Sequence, residues 1–356
     1  MNKQACFSRT QNKDIVFLQK IVEAYSPYGQ ERGVAEIILK EMLKRGFKAH
    51  FDKVGNVIGE IGSGKREILF VGHMDVYPGG IPVRIEKGQL FGRGSVDAKG
   101  CLAAFISATS KLPKEIFKNK KFIVVCAVEE EGPSSKGARN LMAKGNYKPE
   151  FVVIGEPSGW ENITIGYRGI LSFNAHFTQA NLHYAPNGER ATNMAIRFCK
   201  SLIDKINLYK KKSNFGSPSA EIREINSQND GIREECKVSV VVRIPPDFNI
   251  KKLQEWIKGV SKGKLKFTQS DPAVLSDLNT KLIRVFRSVI KKHKGRAGLS
   301  KKLGTSDMNI IAPFYKVPTI TYGPGDSKLN HTPKEHLDLK EYLKSIKILA
   351  EVLSLL

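Results

Sequence analysis

A histidine and an aspartate stand two positions apart in the segment LFVGHMDVYPGG (69–80). The apolar run that precedes them is typical of a buried β-strand, and the Pro-Gly-Gly that follows them is typical of a turn. A buried imidazole and a buried carboxylate both cost free energy unless another group satisfies them. For His73 and Asp75, that group is either a metal ion or an ordinary partner within the protein, such as a helix cap or an internal hydrogen bond.

Further acidic and histidine side chains follow other apolar runs, or stand in loops next to predicted helices and strands. These residues are Asp97, Glu129, Glu130, Glu131, Glu156 and His331. Open α/β sheets place their sites beyond the carboxyl ends of the strands, so we expect these side chains to converge there. Each residue alone also has an ordinary explanation, as an N-cap or as a solvated loop side chain.

The coincidence of so many acidic groups favours a bound cation. Carboxylates crowded into one crevice repel one another and raise one another's pKa unless cations neutralise them. Two histidines with several carboxylates form a ligand set that suits zinc or a similar divalent ion. One shared carboxylate can also bridge two ions about 3.5–4 Å apart. The pattern therefore predicts a metal centre, with a two-metal site as one form of it.

The elements that must position these residues alternate between helices and strands. Near-continuous apolar runs at 120–128 and 151–157 are typical of strands in a parallel sheet that is covered on both faces. From about residue 167, alternating half-exposed strands and amphipathic helices predict a smaller α+β unit. We therefore predict an α/β fold, in which a catalytic domain with a mainly parallel sheet flanked by helices (1–166 and 275–356) is interrupted by a smaller α+β domain (167–274).

Composition narrows the class of protein. The 356 residues are 41% hydrophobic, which supports a sizeable core. The N-terminal segment lacks the apolar stretch of a signal peptide, and no uncharged apolar run reaches the roughly 18 residues of a membrane span, so we expect a soluble, cytoplasmic protein. The five cysteines are widely spaced and form no C-x-x-C pair, which is typical of free thiols in a reducing compartment rather than of a thiolate zinc site.

The net charge of +23 predicts an acidic partner or substrate, or a lysine-rich surface of the thermophilic kind. Basic residues cluster at 197–212, 251–266 and 291–302. These clusters contain few interleaved aromatic residues, and the chain has no nucleic-acid-binding motif. We therefore expect no nucleic acid and no membrane among its partners.

Seven motifs together resemble the di-zinc aminoacylase and carboxypeptidase-G-type peptidases, a family that includes acetylornithine deacetylase and succinyl-diaminopimelate desuccinylase. The motifs are GHMDVYP (72–78), GRGSVDAKG (92–100), EEEGP (129–133), GEPS (155–158), LHYAPNGERATN (182–193), VRIPP (242–246) and YGPGDSKLNHTPKEH (322–336). They occur in the family's order and cover nearly the whole chain. The resemblance implies that the inserted domain is a lid that commonly forms a dimer contact, and hence a homodimer.

The resemblance also implies two divalent metal ions per subunit, zinc in the first place and cobalt as an alternative. The implied ligands are His73 and Glu156 on one ion, Glu131 and His331 on the other, and Asp97 as the bridge between them. The peptide bond that follows Asp97 is expected to be cis.

Four further residues receive roles from the resemblance. Asp75 orients the imidazole of the ligand before it. Glu130 is the general base. The lid residue His183 polarises the scissile carbonyl, and the lid residue Arg243 binds a substrate carboxylate. The family usually has aspartate where this chain has Glu129, and the run of three glutamates leaves a one-place ambiguity in these assignments.

A narrower set of motifs resembles hydrolases of carrier-protein-dependent lysine and ornithine biosynthesis. The motifs are EEEGPSSKGAR, GEPSGWENITIGYRG, LGTSDMN and GPGDS with HTP. In that pathway the amino acid is attached to the C-terminal glutamate of a small, very acidic amino-group carrier protein, LysW, and the hydrolase cuts the amide. The resemblance implies LysW carrying lysine or ornithine as the partner, and the basic surface would attract it.

Two alternatives stay open. One is a free-standing deacylase acting on N-acetylornithine, N-succinyl-diaminopimelate or a dipeptide, because motifs at a metal centre do not settle acyl recognition. The other is a non-enzymatic basic scaffold, although every implied ligand position is filled.

Overall fold

A computed structural model describes residues 12–132, 134–181 and 189–356. The α-helices of the described residues are α1 (Lys13–Glu23), α2 (Arg32–Lys44), α3 (Lys99–Ser110), α4 (Lys114–Asn119), α5 (Lys136–Lys144), α6 (Ala191–Asn207), α7 (Ile250–Val260), α8 (Lys281–Lys292), α9 (Met308–Tyr315) and α10 (Leu339–Leu355). The β-strands are β1 (Lys48–Phe51), β2 (Val57–Ile61), β3 (Arg66–His73), β4 (Arg84–Glu86), β5 (Gln89–Phe91), β6 (Lys120–Ala127), β7 (Pro149–Gly155), β8 (Asn162–Tyr167), β9 (Gly169–Ala180), β10 (Ser219–Asn229), β11 (Arg233–Ile244), β12 (Lys264–Asp271), β13 (Val274–Leu275), β14 (Gly298–Lys302), β15 (Thr319–Thr321) and β16 (His336–Asp338). A short 3₁₀ turn spans Ser327–Leu329.

The chain divides into two compact units. Unit 1 comprises the residues up to Ile165 together with Ser276–Ser300 and Ile310–Leu356, and unit 2 comprises Gly166–Leu275 and Lys301–Asn309. The division predicted from the sequence was 1–166 with 275–356 for the catalytic domain and 167–274 for the inserted domain, and it stays a prediction of domains. The last segment of unit 2 differs from the prediction, which placed all of 275–356 in the catalytic domain.

Hydrogen bonds to one arginine explain why residues 301–309 group with unit 2. The Arg168 backbone N–H donates to the carbonyl of Lys302 at 3.2 Å, and its Nε donates to the carbonyl of Leu303 at 2.9 Å. The Asn309 side-chain amide donates to the carbonyl of Arg168 at 3.0 Å. These hydrogen bonds attach both ends of the segment to Arg168, which is a residue of unit 2.

The main sheet of unit 1 has the strand order β1-β2-β6-β3-β7-β15-β8. Its centre is parallel, because β3 runs parallel to β6 and β7, and β15 runs parallel to β7. The apolar run of β3 is buried from Ile68 onward, and α3 is buried along almost all of its length against the sheet. This confirms the predicted α/β fold with a mainly parallel sheet flanked by helices.

A second, small sheet in unit 1 has the order β16-β5-β4. Its register pairs His336 with Phe91. This pairing brings the residue before β16 next to the loop after β5, and the Gly92 backbone N–H donates to the carbonyl of Glu335 at 3.3 Å. Residues far apart in sequence therefore meet beside the main sheet.

Unit 2 contains a four-stranded antiparallel sheet with the order β10-β11-β9-β12. Strand β11 alternates between buried and less buried positions along its length, as a strand does when one face of its sheet is covered. Apolar residues of α6 and α7 pack with that face into a separate core.

The described cysteines Cys101, Cys126, Cys199 and Cys236 are buried free thiols, as expected. Cys6 lies outside the described residues. Within the described part of the chain, no helix combines the length and the apolar character that crossing a membrane would require.

Candidate metal centre

Candidate ligands follow the carboxyl-terminal ends of three neighbouring strands of the main sheet. The register pairs Gly72 of β3 with Cys126 of β6 and with Gly155 of β7, so the three strands end side by side. His73 closes β3, the three glutamates 129–131 come just after β6, and Glu156 comes directly after β7. The convergence that the sequence predicted is therefore a consequence of parallel pairing.

A first group of ligand atoms surrounds His73, whose side chain is only 1% exposed. Its Nε2 atom lies 3.3 Å from Asp97 Oδ1 and 3.6 Å from Glu156 Oε1. The ligand atoms of these three residues all lie within 4.8 Å of one another. One imidazole nitrogen and two carboxylates thus face a common point.

A second group shares Asp97 with the first. His331 Nε2 lies 2.9 Å from Glu131 Oε1 and 3.2 Å from Asp97 Oδ2. The two oxygens of Asp97 therefore face different histidines, which is the geometry of a bridging carboxylate. The ring of His331 is stacked on Tyr77 with 4.2 Å between ring centroids. The Asp97–Ala98 peptide is cis, as expected.

Asp75 contacts both His73 and the backbone that carries Glu130 and Glu131. Its backbone carbonyl lies 2.9 Å from His73 Nδ1, and its carboxylate Oδ1 lies 3.5 Å from the same nitrogen. A carbonyl oxygen only accepts, so Nδ1 carries the hydrogen and Nε2 is left to bind a metal. The Asp75 carboxylate also accepts from the backbone N–H groups of Glu130 at 3.1 Å and Glu131 at 2.8 Å.

The three glutamates differ in where their side chains lie. Glu130 and Glu131 form a further potential ligand group with His73. Glu129 instead accepts hydrogen bonds from Ser134 Oγ at 2.9 Å and Lys136 Nζ at 3.1 Å. The geometry therefore favours Glu130 and Glu131, rather than Glu129, as members of the cluster. These are the two positions that the family resemblance implied.

Glu335 is a buried residue of this region that the sequence pattern did not predict as functional. Its Oε1 accepts from the backbone N–H groups of Gly94 at 2.9 Å, Val96 at 3.0 Å and Asp97 at 3.1 Å, and its Oε2 accepts from Arg93 Nη1 at 2.9 Å. It thereby fixes the loop that carries the bridging carboxylate. The sequence offered a weak signal, because Glu335 stands in the quoted motif HTPKEH, where a solvated glutamate would look the same.

The electrostatics of the cluster reflect excess negative charge. Burial disfavours the charged form of His73, but the hydrogen bonds to Asp75 and Asp97 outweigh burial and raise its pKa well above its ordinary value. Hydrogen bonds that the ring of His331 donates to the carboxylates of Asp97 and Glu131 raise the pKa of His331 to about 10. Burial opposes ionisation of Asp97, yet the two histidines hold its pKa far below its ordinary value. The cluster therefore attracts positive charge strongly.

The donor set fits a pair of divalent ions. Among the described residues, no lysine or arginine lies within ion-pair distance of Asp97 or Glu131, whose charged partners are the two histidines. Imidazole and carboxylate ligands in two groups with one shared member match the preference of zinc and similar ions.

Two further residues were predicted from the family resemblance to contact the substrate. His183 lies outside the described residues. Arg243 lies on β11 in unit 2, where its Nη1 donates to Thr305 Oγ1 at 3.2 Å. Burial lowers the pKa of Arg243. Within the described chain, no carboxylate lies within ion-pair distance of it, so its guanidinium is available to an anion.

Curated relatives resemble the chain over nearly its whole length. The "[LysW]-lysine hydrolase" of Deinococcus radiodurans is 37% identical over 346 residues, covering 95% of this chain and 95% of the relative. The "Putative [LysW]-lysine/[LysW]-ornithine hydrolase" of Pyrococcus furiosus is 39% identical over 338 residues, covering 94% of each chain.

Solved structures share the fold at low sequence identity. The M20 family metallo-carboxypeptidase Sso-CP2 of Sulfolobus solfataricus superposes with a TM-score of 0.81 at 18% identity, covering 97% of this chain and 99% of that one. The YXEP protein of Bacillus subtilis, described as a dinuclear metal binding peptidase, gives 0.70 at 13% identity, covering 96% and 97%. Residues 69–355 also match the profile of peptidase family M20/M25/M40. The chain belongs to peptidase family M20/M25/M40.

Proposed function

We propose that this protein is a di-metal amide hydrolase that releases lysine, ornithine or both from the C-terminal glutamate of the carrier protein LysW. The observation that carries the reaction class is the pair of ligand groups that share Asp97. Support for the substrate comes from curated relatives whose names specify LysW and whose length this chain matches almost completely.

Two ligand groups imply two ions per chain. His73, Asp97 and Glu156 would hold one ion, and Asp97, Glu131 and His331 would hold the other. Zinc is the first candidate and cobalt the alternative, because both suit nitrogen and oxygen donors. When bound, such ions would lower the pKa of a water molecule, so that hydroxide would be available near neutral pH to attack an amide. Elemental analysis of the purified protein should give two divalent ions per chain.

Glu130 is the proposed general base and acid. Its backbone is held by Asp75, and its side chain belongs to the cluster without being one of the five proposed ligands. It takes the proton of the attacking water and returns that proton to the leaving amine of the amino acid. Asp75 acts as a positioning residue, because it fixes both the imidazole of His73 and the turn that carries Glu130.

Substrate contacts come from unit 2, which we propose to be the lid and the homodimer surface. Arg243 binds the α-carboxylate of the leaving amino acid, since a guanidinium can engage both oxygens of a carboxylate. His183 polarises the scissile carbonyl and stabilises the negative charge that develops on its oxygen. The reaction belongs to amino-acid biosynthesis, which places the enzyme in the cytoplasm.

Parallel hydrolysis of two substrates tests this function. The metal-loaded protein is given lysine attached to the terminal glutamate of LysW and, separately, N-acetylornithine, each at low and high salt. We expect rapid, salt-sensitive release of lysine from the carrier and slow, salt-insensitive turnover of N-acetylornithine, because salt screens the attraction between a basic enzyme and an acidic carrier. Comparable turnover of N-acetylornithine would instead identify a free-standing deacylase.

A further inference from the structure

A cleft of about 750 Å³ lies in unit 2, between residues 205–218 at the end of α6 and residues 245–256 at the start of α7. We call it the lysine cleft. Its described lining residues include none of those proposed to hold metal, move protons or bind the leaving amino acid. Its chemistry therefore calls for a separate explanation.

The charge of the lysine cleft is one-sided. Lys205, Lys210, Lys211 and Lys252 line it, and Asp247 is the one acidic residue among its described lining residues. Among the described residues, none of these lysines has a carboxylate within ion-pair distance, whereas Lys200, on the same helix α6 as Lys205, is paired with Asp204. Four ammonium groups around one carboxylate leave an excess of positive charge, and an anionic ligand would reduce their mutual repulsion.

The wall of the lysine cleft is aromatic. Tyr209 and Phe248 are in an edge-to-face arrangement, with 5.2 Å between ring centroids. Lys205 Nζ stands 5.6 Å from the ring centroid of Tyr209 and 5.8 Å from that of Trp256. Beside them, Leu208 is 77% exposed. A large apolar side chain next to unpaired lysines is typical of a surface that another macromolecule covers.

We propose that the lysine cleft docks an acidic polypeptide segment, whose carboxylates meet the lysines and whose apolar side chain packs on Leu208 and the aromatic wall. The inference rests on the proposed function in one respect: the polypeptide is the carrier that presents the substrate. Docking at a site separate from the reacting amide lets the enzyme recognise the carrier whichever amino acid it bears.

A single-stranded nucleic acid is the competing occupant, because lysines and aromatic rings also bind bases and phosphates. Three features favour protein. The described lining residues include no arginine, the ring of Tyr209 packs against Phe248, and Lys205 covers Tyr209 and Trp256. Bases stack on open ring faces, which this arrangement does not offer in series.

Charge reversal of the cleft tests the proposal. The combined variant Lys210→Glu, Lys211→Glu and Lys252→Glu should raise KM for lysine-loaded LysW about tenfold at low salt, with kcat unchanged. Turnover of a short peptide that carries the same glutamyl-lysine amide should not change. Leu208→Ser should raise KM for the loaded carrier at both low and high salt, since apolar contacts are not screened.

A matched control carries the same change of net charge elsewhere. Lys40, Lys44 and Lys48 are exposed and unpaired among the described residues, and their combined reversal to glutamate should change KM for the carrier much less. Equal effects of the two triple variants would overturn the proposed docking site and leave only a general attraction between the basic enzyme and the acidic carrier. So would an unchanged carrier KM together with cleft-dependent binding of an oligonucleotide.

Direct binding separates this inference from the proposed function. Fluorescence anisotropy of labelled LysW without amino acid reports docking in the absence of turnover. If wild type releases neither lysine nor ornithine from LysW, the proposed function fails. If wild type releases lysine but the cleft variant binds LysW as tightly as wild type does, the docking site fails and the function stands.

Discussion

Unit 1 buries two aspartates in contrasting surroundings. The carboxylate of Asp14 accepts hydrogen bonds from Arg45 Nη1 at 2.9 Å and from Lys111 Nζ. Asp97 is equally buried, but its charged neighbours are the two histidines and further carboxylates. The first aspartate receives permanent positive charge from the fold, and the second does not.

The difference indicates which acidic cluster serves structure and which serves a ligand. Arginine and lysine stay charged at neutral pH, so the Asp14 cluster is complete as folded. Histidine is ordinarily neutral there, so the Asp97 cluster needs protons or a metal cation to offset its charge. A buried carboxylate group supplied with imidazoles rather than ammonium or guanidinium groups is thus a sign of a metal site.

The sharpest test of the comparison separates the carboxylate that moves a proton from those that hold cations. Glu130→Gln should lower kcat for loaded LysW by about 10²–10⁴-fold, because the amide cannot accept the proton of water. Metal content should stay at the wild-type value. Kinetics and elemental analysis of the same preparation measure both.

Glu129→Gln is the matched control, one position away. Its side chain binds Ser134 and Lys136 rather than the cluster, so kcat should stay within about twofold of wild type. If Glu129→Gln were the inactive variant and Glu130→Gln the active one, the register assigned to the three glutamates would be wrong.

The second test removes the charge that supports the bridging aspartate. Glu335→Gln keeps the size of the side chain but weakens its hydrogen bonds to the loop 94–97 and leaves Arg93 without its counter-charge. We expect metal affinity to fall about 10–100-fold, the usual effect of losing support for a ligand. Titration against a chelating dye measures it. Asp338→Asn, which keeps a helix N-cap three residues away, should leave metal affinity unchanged.

The third test concerns the reverse case in unit 2, a guanidinium without an internal anion. Arg243→Lys should raise KM about tenfold with little change in kcat, because lysine cannot bind a carboxylate through two parallel hydrogen bonds. Steady-state kinetics at saturating metal separate the two constants. Arg223→Lys, at an exposed arginine paired with Glu221, should behave as wild type. A fall in kcat alone would exclude a role in binding the leaving amino acid.

The smallest expected effect on catalysis comes from the structural aspartate. Burial disfavours the charged form of Asp14, but the hydrogen bonds from Lys111 and Arg45 hold its pKa below its ordinary value. A lowered pKa in the folded state stabilises the protein above the ordinary pKa, and this stabilisation disappears as pH falls through the folded value. Asp14→Asn should therefore cost about 2 kcal/mol at pH 7 and almost nothing in strong acid.

Denaturant unfolding of Asp14→Asn and wild type across this pH range measures that difference, in which any loss of metal by both proteins cancels. Asp204→Asn breaks an exposed pair with Lys200 and should cost less than about 0.5 kcal/mol at every pH. A deficit of Asp14→Asn that grew toward low pH would contradict the assigned sign.

The sequence predicts the cluster of candidate ligands better than it predicts the side chains that support this cluster. Buried parallel strands are recognisable in the sequence as apolar runs. Because the carboxyl ends of such strands lie side by side, candidate ligands that follow them, such as His73 and Glu156, are expected to lie close together. Glu335 was missed because nothing local distinguishes a carboxylate that accepts three backbone hydrogen bonds from a solvated one. Its role depends on β5 and β16, strands of three residues each that carry no periodic signal.

Unit boundaries show the same limit. The junctions near 166 and 275 were visible as changes in hydrophobic periodicity, whereas the attachment of residues 301–309 to unit 2 depends on the side chains of Arg168 and Asn309. Long-range hydrogen bonds of single side chains leave no pattern in the sequence around them. The lysine cleft likewise unites lysines of 205–211 with aromatic residues near 250, so its combination of lysines and rings appears only after folding.

The hydrogen bond between Glu335 and the Asp97 backbone joins residues 238 positions apart in the chain. During synthesis, residue 335 leaves the ribosome long after the loop 94–97. Until then, this loop lacks the carboxylate that accepts its backbone hydrogen bonds. A partly made chain can therefore form the apolar strands of the sheet but cannot present a finished bridging carboxylate. We therefore expect the candidate metal site to be completed late in biogenesis, and a chain cut short upstream of Glu335 to be translated and folded in part without becoming an active hydrolase.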